Sequence, residues 1–501
     1  MTGQLPRPKP GEQDSAASRQ ADVLRAIGET GYRFATFGHT VYAVAVDGGP
    51  IARPLRAKGG GTGSGSLRQC LIREYVRSTG RTPSQAALAD AVTALEAIAM
   101  DSAEQSVFLR VAPDPEDQLT TWLDLGQPDG TSVCIEPGRW SVIAPDPLEG
   151  PLWRRSRLLR QLPIPEHPED GWPAGIELLR QVLPMSDSSY PMAVAWLLAA
   201  LRPNIPRPVA YLTGEQGTGK STGGRMMLRL VDGIDAHLRS VPKSEDDLAV
   251  TASAGWVLAL DNLSGIPPWL SDFLSRVVTG DALTKRELYS DDDVILLEFQ
   301  RPILLTGIDV GALENDLAER MLPIELQPIT GQDRRTERSL WECFRSAHPQ
   351  ILGGLLDLAA LVWQKIPEAA VRLSSRPRMA DWAELLWALD EITGWTTLAT
   401  YTKAQDSLVD DVLDSDLVAS VVLRWALAHP KPWQWEGPAA QLMDVLREHH
   451  PPGTLDSWPR TPAVLSARIV RAAPALRLRG IDVRKLQRTS TGRPLRISTQ
   501  L

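Results

Sequence analysis

Residues Gly214-Glu215-Gln216-Gly217-Thr218-Gly219-Lys220-Ser221, followed by Thr222, form a G-x-x-x-x-G-K-S loop. Glycines at this spacing let backbone N–H groups close on phosphate oxygens, and a helix starting at the loop points its positive end at the same anion. Lys220 adds a compact charge for β- and γ-phosphates, and Ser221 offers a hydroxyl to Mg²⁺. Gly214 to Thr222 is therefore expected to bind ATP with Mg²⁺. A second element fits the first. Trp256-Val257-Leu258-Ala259-Leu260-Asp261 is an apolar run ending in a carboxylate, placed to hold Mg²⁺ through water. An acid at the next position would accept the proton of an attacking water. Asn262 can orient water but cannot take its proton, so binding is the firmer expectation and the rate of hydrolysis stays open. Glu215, Asp246 and Asp247 are substitute carboxylates for that task, each equally readable as an ordinary loop acid.

The elements that must position these groups follow from local pattern. Val209 to Thr213 reads as a buried strand running into the loop, and Thr222 to Leu230 as the helix leaving it. Ser271 to Thr279 ends a helix before the Gly280-Asp281 turn. Leu283 to Tyr289 and Val294 to Phe299 flank Ser290-Asp291-Asp292-Asp293 as a β-hairpin. Pro302 to Gly307 is another buried strand, whose Thr306 is expected to face the γ-phosphate. Asp316 to Met321 leads into a strand, Leu322 to Leu326. Arg320 there either reaches a neighbouring subunit's γ-phosphate or caps a helix end.

The chain has 501 residues, too many for one ordinary core, so several domains are expected. Its 43% hydrophobic and 23% charged residues are those of a soluble globular protein. A net charge of −8 confines any nucleic-acid surface to a local patch. Cys70, Cys134 and Cys343 lie far apart without zinc or redox spacing, as reduced thiols in a cytoplasmic protein would. Pro191 to Leu201 is the longest apolar run, too short to span a bilayer, so no membrane segment is expected. The fold class is α/β: a P-loop NTPase core at 203–330 with added modules. Residues 1–20 read as a disordered tail, 21–165 as an α+β module of underived function, and 166–202 as a helical linker. Residues 331–430 read as helical, and 431–501 as a basic, winged-helix-like module. Within the first module Lys58 to Ser66 is either a flexible loop or a nucleic-acid contact, and Leu148 to Trp172 looks like a linker rich in Pro, Arg and Glu. No Asp-x-Asp strand suited to two-metal nucleotidyl transfer occurs in 21–165, which argues against a fused primase.

In the last module, Ala439 to His449 and Thr461 to Arg471 read as helices. Arg477 to Lys485 and Leu495 to Ser498 read as paired strands around Thr489 to Arg493. From Arg460 onward the basic residues are Arg460, Arg468, Arg471, Arg477, Arg479, Arg484, Lys485, Arg488, Arg493 and Arg496, opposed in sequence only by Asp482. In an acidic chain this local reversal suits phosphate contact by the second helix and the wing, with Arg468, Arg484, Lys485, Arg488 and Arg493 as DNA-binding residues. A solvated basic tail or a protein-docking winged helix is the alternative.

The order of P-loop, Asp-ended strand, helix, hairpin, polar-ended strand and Arg before a strand resembles the superfamily 3 helicases of the AAA+ group, including poxvirus-type primase-helicases. It looks closer still to the ATP-binding, helicase-like proteins of bacterial integrative elements and prophages. GEQGTGKST, LALDNLSGIPPWLSDFLSRVVTGDALTKRELYSDDD, RPILLTGID and DLAERMLPIEL carry the likeness, with PRMADWAE at 377–384 and WEGPAAQLMDVL beyond. The closer resemblance covers roughly 70–501, the wider one 203–330. It implies a homo-hexameric ring with ATP between subunits and the hairpin facing DNA, single-stranded or forked. Lys285 and Arg286 would then lie near the DNA, or on a solvated strand edge. It also implies a partner such as a primase or host replication protein. Asn262 and Thr306 depart from the usual residues, Glu and Asn. The function implied is an ATP-dependent DNA helicase or translocase in replication of a mobile element; a nucleotide-gated DNA-binding switch, loader or defence regulator is the alternative.

Overall fold

The computed structural model describes residues 16–501 except 39, 56–65, 147–149, 157, 234, 281–282, 287–293, 298–299, 308–314, 329–334, 374–376, 450–457, 489–492 and 500–501. The glycine-rich stretch 58–66 thus lies outside the described residues but for Ser66, which caps the helix after it.

The first part of the chain runs α1 (Ala16–Gly31), β1 (Tyr32–Phe37), β2 (Thr40–Ala45), β3 (Ile51–Pro54), α2 (Leu67–Thr79) and α3 (Gln85–Ala99). Six strands follow: β4 (Val107–Phe108), β5 (Val111–Pro113), β6 (Thr121–Asp124), β7 (Ser132–Glu136), β8 (Arg139–Ile143) and β9 (Leu152–Arg154). Two sheets result, one ordered β1-β2-β3-β9-β4 and one ordered β5-β6-β7-β8. The three helices have their own core, including Leu24, Leu67, Leu71, Leu88 and Leu95. The β5–β8 sheet does not share it: Leu109, Val133, Ile135 and Trp140 belong to the large central core. Ala35, Tyr42, Val44, Ala52 and Leu152 form a third, small core, so residues 21–165, expected as a single module, are divided among three.

The stretch 148–172 also differs from a linker. Its β9 pairs in parallel with both β3 and β4, and Leu159 and Leu162 are buried in the central core. The Arg160 carbonyl lies so close to Gly126 and Gly233 that a Cβ on either would approach it to 2.6 and 2.4 Å. Its richness in Pro, Arg and Glu suggested a linker, but a few large apolar residues suffice to lock the segment in place.

The core continues with α4 (Trp172–Val182), α5 (Ser189–Ala200), β10 (Val209–Thr213), α6 (Lys220–Asp232), α7 (Glu245–Ala254), β11 (Leu258–Leu263) and α8 (Pro268–Thr279). Then come β12 (Leu283–Arg286), β13 (Val294–Leu297), β14 (Ile303–Gly307), α9 (Asn315–Ala318) and β15 (Met321–Glu325). The sheet is ordered β11-β14-β10-β15 and is parallel throughout. Parallel strands bury both faces; accordingly β14 is buried at every residue, and α5 at every residue but Pro191. The carboxyl ends of β10, β11 and β14 lie along one edge, where ligands of open α/β sheets bind.

Four helices follow: α10 (Glu337–Arg372), α11 (Ala380–Thr393), α12 (Thr397–Ser415) and α13 (Leu417–Leu427). α10 and α11 join the central core, whereas α13 packs into the core of the C-terminal part. That part holds β16 (Trp433–Gly437), α14 (Ala439–Arg447), α15 (Pro462–Leu478), β17 (Ile481–Lys485) and β18 (Leu495–Thr499), with strand order β16-β18-β17. Trp433–Gly437, just before the first expected helix, is a third strand. α15 extends to Leu478 where a strand was expected from Arg477. No helix among the described residues is long and apolar enough to cross a membrane.

Candidate nucleotide site

The loop after β10 has the backbone its glycines predict. Gly214, Gly217 and Gly219 have φ of 144°, 89° and 78°, conformations that L side chains rarely adopt. A Cβ on Gly214 would lie 2.8 Å from both Leu326 O and Thr218 Oγ1. Thr218 is buried and donates its hydroxyl to Glu215 O at 3.0 Å. Any contact of Thr218 with a ligand would therefore come from its backbone. Glu215 and Gln216 are exposed. Lys220 Nζ donates to Gly214 O at 2.8 Å and Glu215 O at 2.7 Å. It meets carbonyls and no described carboxylate, so its charge is not neutralised.

Three side chains converge beside it. Ser221 Oγ donates to Asp261 Oδ1 at 2.8 Å, and Thr306 Oγ1 donates to the same oxygen. Asn262 N–H donates to Thr306 Oγ1 at 3.1 Å. The sheet order explains the meeting: β14 lies between β10 and β11, so Thr306 stands between Ser221 and Asp261. Gly224 on α6 makes room for it, since a Cβ there would come within 2.9 Å of Thr306 Cγ2. Thr306 is 1% exposed. Its hydroxyl was expected to face a phosphate; here it is engaged with Asp261 and the Asn262 backbone. Asn262 sits at a break in the β11–β14 register with φ of 58° and an exposed side chain. Asn tolerates this left-handed backbone better than Glu, a conformational reason for its presence that the motif did not reveal.

The alternative carboxylates are differently employed. Ser244 caps α7, accepting from Asp247 N and donating to Asp247 Oδ2 at 2.8 Å. Asp246 lies in the same first turn. Among the described residues no group of three His, Cys, Asp or Glu side chains could hold a metal. The donor set here is a hydroxyl and one carboxylate, which suits Mg²⁺ sharing its shell with water and phosphate.

Arg320 lies elsewhere. It precedes β15, whose Met321 pairs with Val209 at the start of β10, so it stands at the opposite edge of the sheet from Lys220. It is 6% exposed, donates to Asp316 O at 2.6 Å and pairs with the Asp316 carboxylate one turn earlier. Burial pushes the Asp316 carboxyl up, but the Arg320 hydrogen bond and charge, with Arg378, outweigh it and hold it below its usual value. Arg378 bridges Asp316 at 2.8 Å and Glu319. Contact with a neighbour's nucleotide would require Arg320 to leave these partners.

The expected hairpin is present as β12 and β13, with Lys285 opposite Ile295 and Arg286 opposite Val294; the side chains of Lys285 and Arg286 lie outside the described residues. In the C-terminal part, carboxylates from distant segments reach the basic residues. Arg479 pairs with Asp406 and Asp410, Arg496 with Glu436, and Arg468 with Asp416 at 3.9 Å. Asp482 pairs with both Arg477 and Arg484. Lys485 and Arg488 are exposed without a described carboxylate partner, and exposed Arg493 donates to Leu486 O at 3.1 Å. The basic surface is thus narrower than the sequence count suggested and includes Lys485, Arg488 and Arg493.

Residues that motif reading missed tie the site to the rest of the chain. Asp232 ends α6 and accepts from Val257 N at 3.0 Å, at the approach to β11. Its carbonyl accepts from Arg110 at 2.9 Å, and the fully buried Arg110 also donates to Asp124 O and Arg160 O. Burial pushes the Asp232 carboxyl up to about 6 against the pull of Arg110. Nothing local in the sequence signals this long-range link between the first part and the helix behind the loop.

Residues 176–411 match the family model of the actinomycete integrative conjugative element replication protein, and residues 418–500 that of the AICE RepA C-terminal domain. No curated protein matches the chain. Among solved structures, the apo C-terminal region of NrS-1 aligns at 11% identity over 96% of this chain and 100% of that one, with a TM-score of 0.41. JCV helicase aligns at 16% identity over 47% of this chain and 64% of that one, with a TM-score of 0.25. Over both matched stretches the chain is similar to replication proteins of actinomycete integrative conjugative elements.

Proposed function

We propose that this chain is an ATP-dependent DNA helicase or translocase acting in the replication of an integrative conjugative element. The observation that carries the reading is the convergence of Ser221 and Thr306 on Asp261 beside an un-neutralised Lys220. The family match over 176–411 supports a replication role for the same region. Lys220 and the loop N–H groups would bind the triphosphate, and Ser221 and Asp261 would hold Mg²⁺, which supplies charge neutralisation at the phosphates. Thr306 keeps Asp261 in place. Asn262 orients water. Lys485, Arg488 and Arg493 at the wing, and Lys285 and Arg286 on the hairpin, meet DNA phosphates. A hexameric ring working with a primase or host replication protein completes the proposal.

The left-handed backbone of Asn262, which disfavours a glutamate there, motivates a second reading: a nucleotide-gated switch, loader or defence regulator with slow turnover. Steady-state ATPase measured with and without single-stranded DNA separates the two. Strong stimulation by DNA, lost in Lys220→Ala, supports the motor. Tight ATP binding with negligible turnover supports the switch. DNA-independent hydrolysis that persists in Lys220→Ala contradicts both.

A further inference from the structure

Ser221 and Thr222 are adjacent hydroxyls in the first turn of α6, and their partners carry opposite charge. Ser221 Oγ donates to Asp261 at 2.8 Å. Thr222 Oγ1 accepts from Arg225 Nη2 at 3.2 Å. A hydroxyl has one proton to give and two lone pairs to receive with. With its proton on a carboxylate, Ser221 presents lone pairs, as a cation ligand must. With a lone pair on a guanidinium, Thr222 keeps its proton, which goes to no acceptor among the described hydrogen bonds. A donor in the first helical turn behind a phosphate loop is suited to an anion.

Arg225 is itself held from several sides. Its Nε donates to Ser221 O at 3.3 Å, and its Nη2 lies 3.2 Å from Glu337 Oε1 in the first turn of α10. Its guanidinium carbon stands 5.4 Å from the centre of the Trp341 ring, with Arg229 over the same ring at 4.1 Å. Trp341 Nε1 donates back to Glu337 at 3.3 Å. An arginine so constrained has a fixed direction.

We infer that Arg225 is a positioning residue of the nucleotide site: it orients the Thr222 hydroxyl as a donor to a phosphate oxygen of a nucleoside triphosphate, and Glu337 and Trp341 hold it in that pose. The inference rests on the nucleotide-binding reading of the loop. It makes α10, which also anchors the β5–β8 sheet through Trp363 and Thr121, part of the wall that shapes the phosphate site.

The test is an equilibrium titration of the full chain with a fluorescent ATP analogue and Mg²⁺, with melting of the ligand-free protein followed alongside. Thr222→Val and Arg225→Met should each weaken binding by roughly ten- to a hundredfold, the scale of one hydrogen bond to a charged group. The double variant should bind no worse than the weaker single, because Arg225 acts through Thr222. Glu337→Gln should weaken binding about twofold. Wild-type affinity in Arg225→Met, or a double variant whose loss is the product of the singles, overturns the inference. Should Arg225→Met fail to fold, Thr222→Val decides alone, and unchanged affinity there also overturns it. Lys220→Ala separates the levels. If it binds normally, the nucleotide reading itself fails. If it loses binding while Arg225→Met does not, only the role of Arg225 fails.

Discussion

At the carboxyl edge of the central sheet Lys220 meets only carbonyls, and Asp261 meets only hydroxyls. At the amino edge Arg320 lies buried against Asp316, which Arg378 also neutralises. Both edges carry a motif-like basic residue beside acids, yet only the first leaves its charges without an opposite partner. An un-neutralised ammonium and a carboxylate held by hydroxyls are poised for a charged ligand. A buried arginine paired one helical turn away is already satisfied, and removing it would leave its partner uncompensated. A motif therefore indicates a residue type at a place; whether the charge is available depends on the neighbours that the fold supplies.

Asp261→Ala should lower Mg²⁺-dependent ATP turnover by roughly 10²- to 10³-fold while leaving the melting temperature near wild type. A variant that melts far earlier would mark Asp261 as structural, like Arg320. His348 on α10 provides a contrast, a buried group whose ring packs against Phe344. Its ring nitrogens have no hydrogen-bond partner among the described residues, and burial, with Arg229 adding, pushes its imidazole down to about 4. The folded pKa lies below the unfolded value of 6.5. Between pH 6.5 and 4 the unfolded chain binds a proton that the folded chain does not, so stability falls as pH falls through that window. The loss approaches about 3 kcal/mol, and His348→Leu should remove it in denaturant melts compared across that range. Asp232, with its carboxyl raised to about 6, contributes the opposite slope between pH 3.8 and 6, and the comparison of variant with wild type cancels it. An identical acid limb in both proteins would contradict the assignment.

At the amino edge, Arg320→Ala should cost about 2 kcal/mol of stability and leave the affinity of the chain for ATP unchanged. Full stability with turnover lost only in the assembled protein would instead restore Arg320 as a group acting on a neighbour. The smallest effect is expected at Asn262. Asn262→Glu places an acid at a left-handed residue and should cost about 1 kcal/mol. A rise in turnover despite that cost would show that the missing acid limits hydrolysis.

Legibility in the sequence followed the range of the interaction. The loop from Gly214 to Ser221, its strand and its helix are contiguous, and all three read directly. Asp261 was legible because an apolar run ends on it. The engagement of Thr306 was not, since it depends on β14 lying between β10 and β11. The Arg320–Asp316 pair sits at a helical spacing of four and was open to reading, but the motif drew attention to the arginine alone. The stretch 148–172 resembled a tether because β9 pairs with strands about a hundred and about forty-five residues upstream. The basic C-terminal count missed Asp406, Asp410, Asp416 and Glu436 for the same reason. Each carboxylate lies outside the segment it neutralises.

The central claim is that Lys220 binds a nucleoside triphosphate with an uncompensated charge. Equilibrium titration of wild type and Lys220→Ala with ATP and Mg²⁺, read by calorimetry, tests it most directly. Saturable binding by wild type is expected, with a loss of affinity of roughly 30- to 100-fold in the variant, the scale of a charged hydrogen-bonding contact, and the ligand-free melting temperature preserved. Equal affinity in the two proteins, or no binding by wild type, would contradict it.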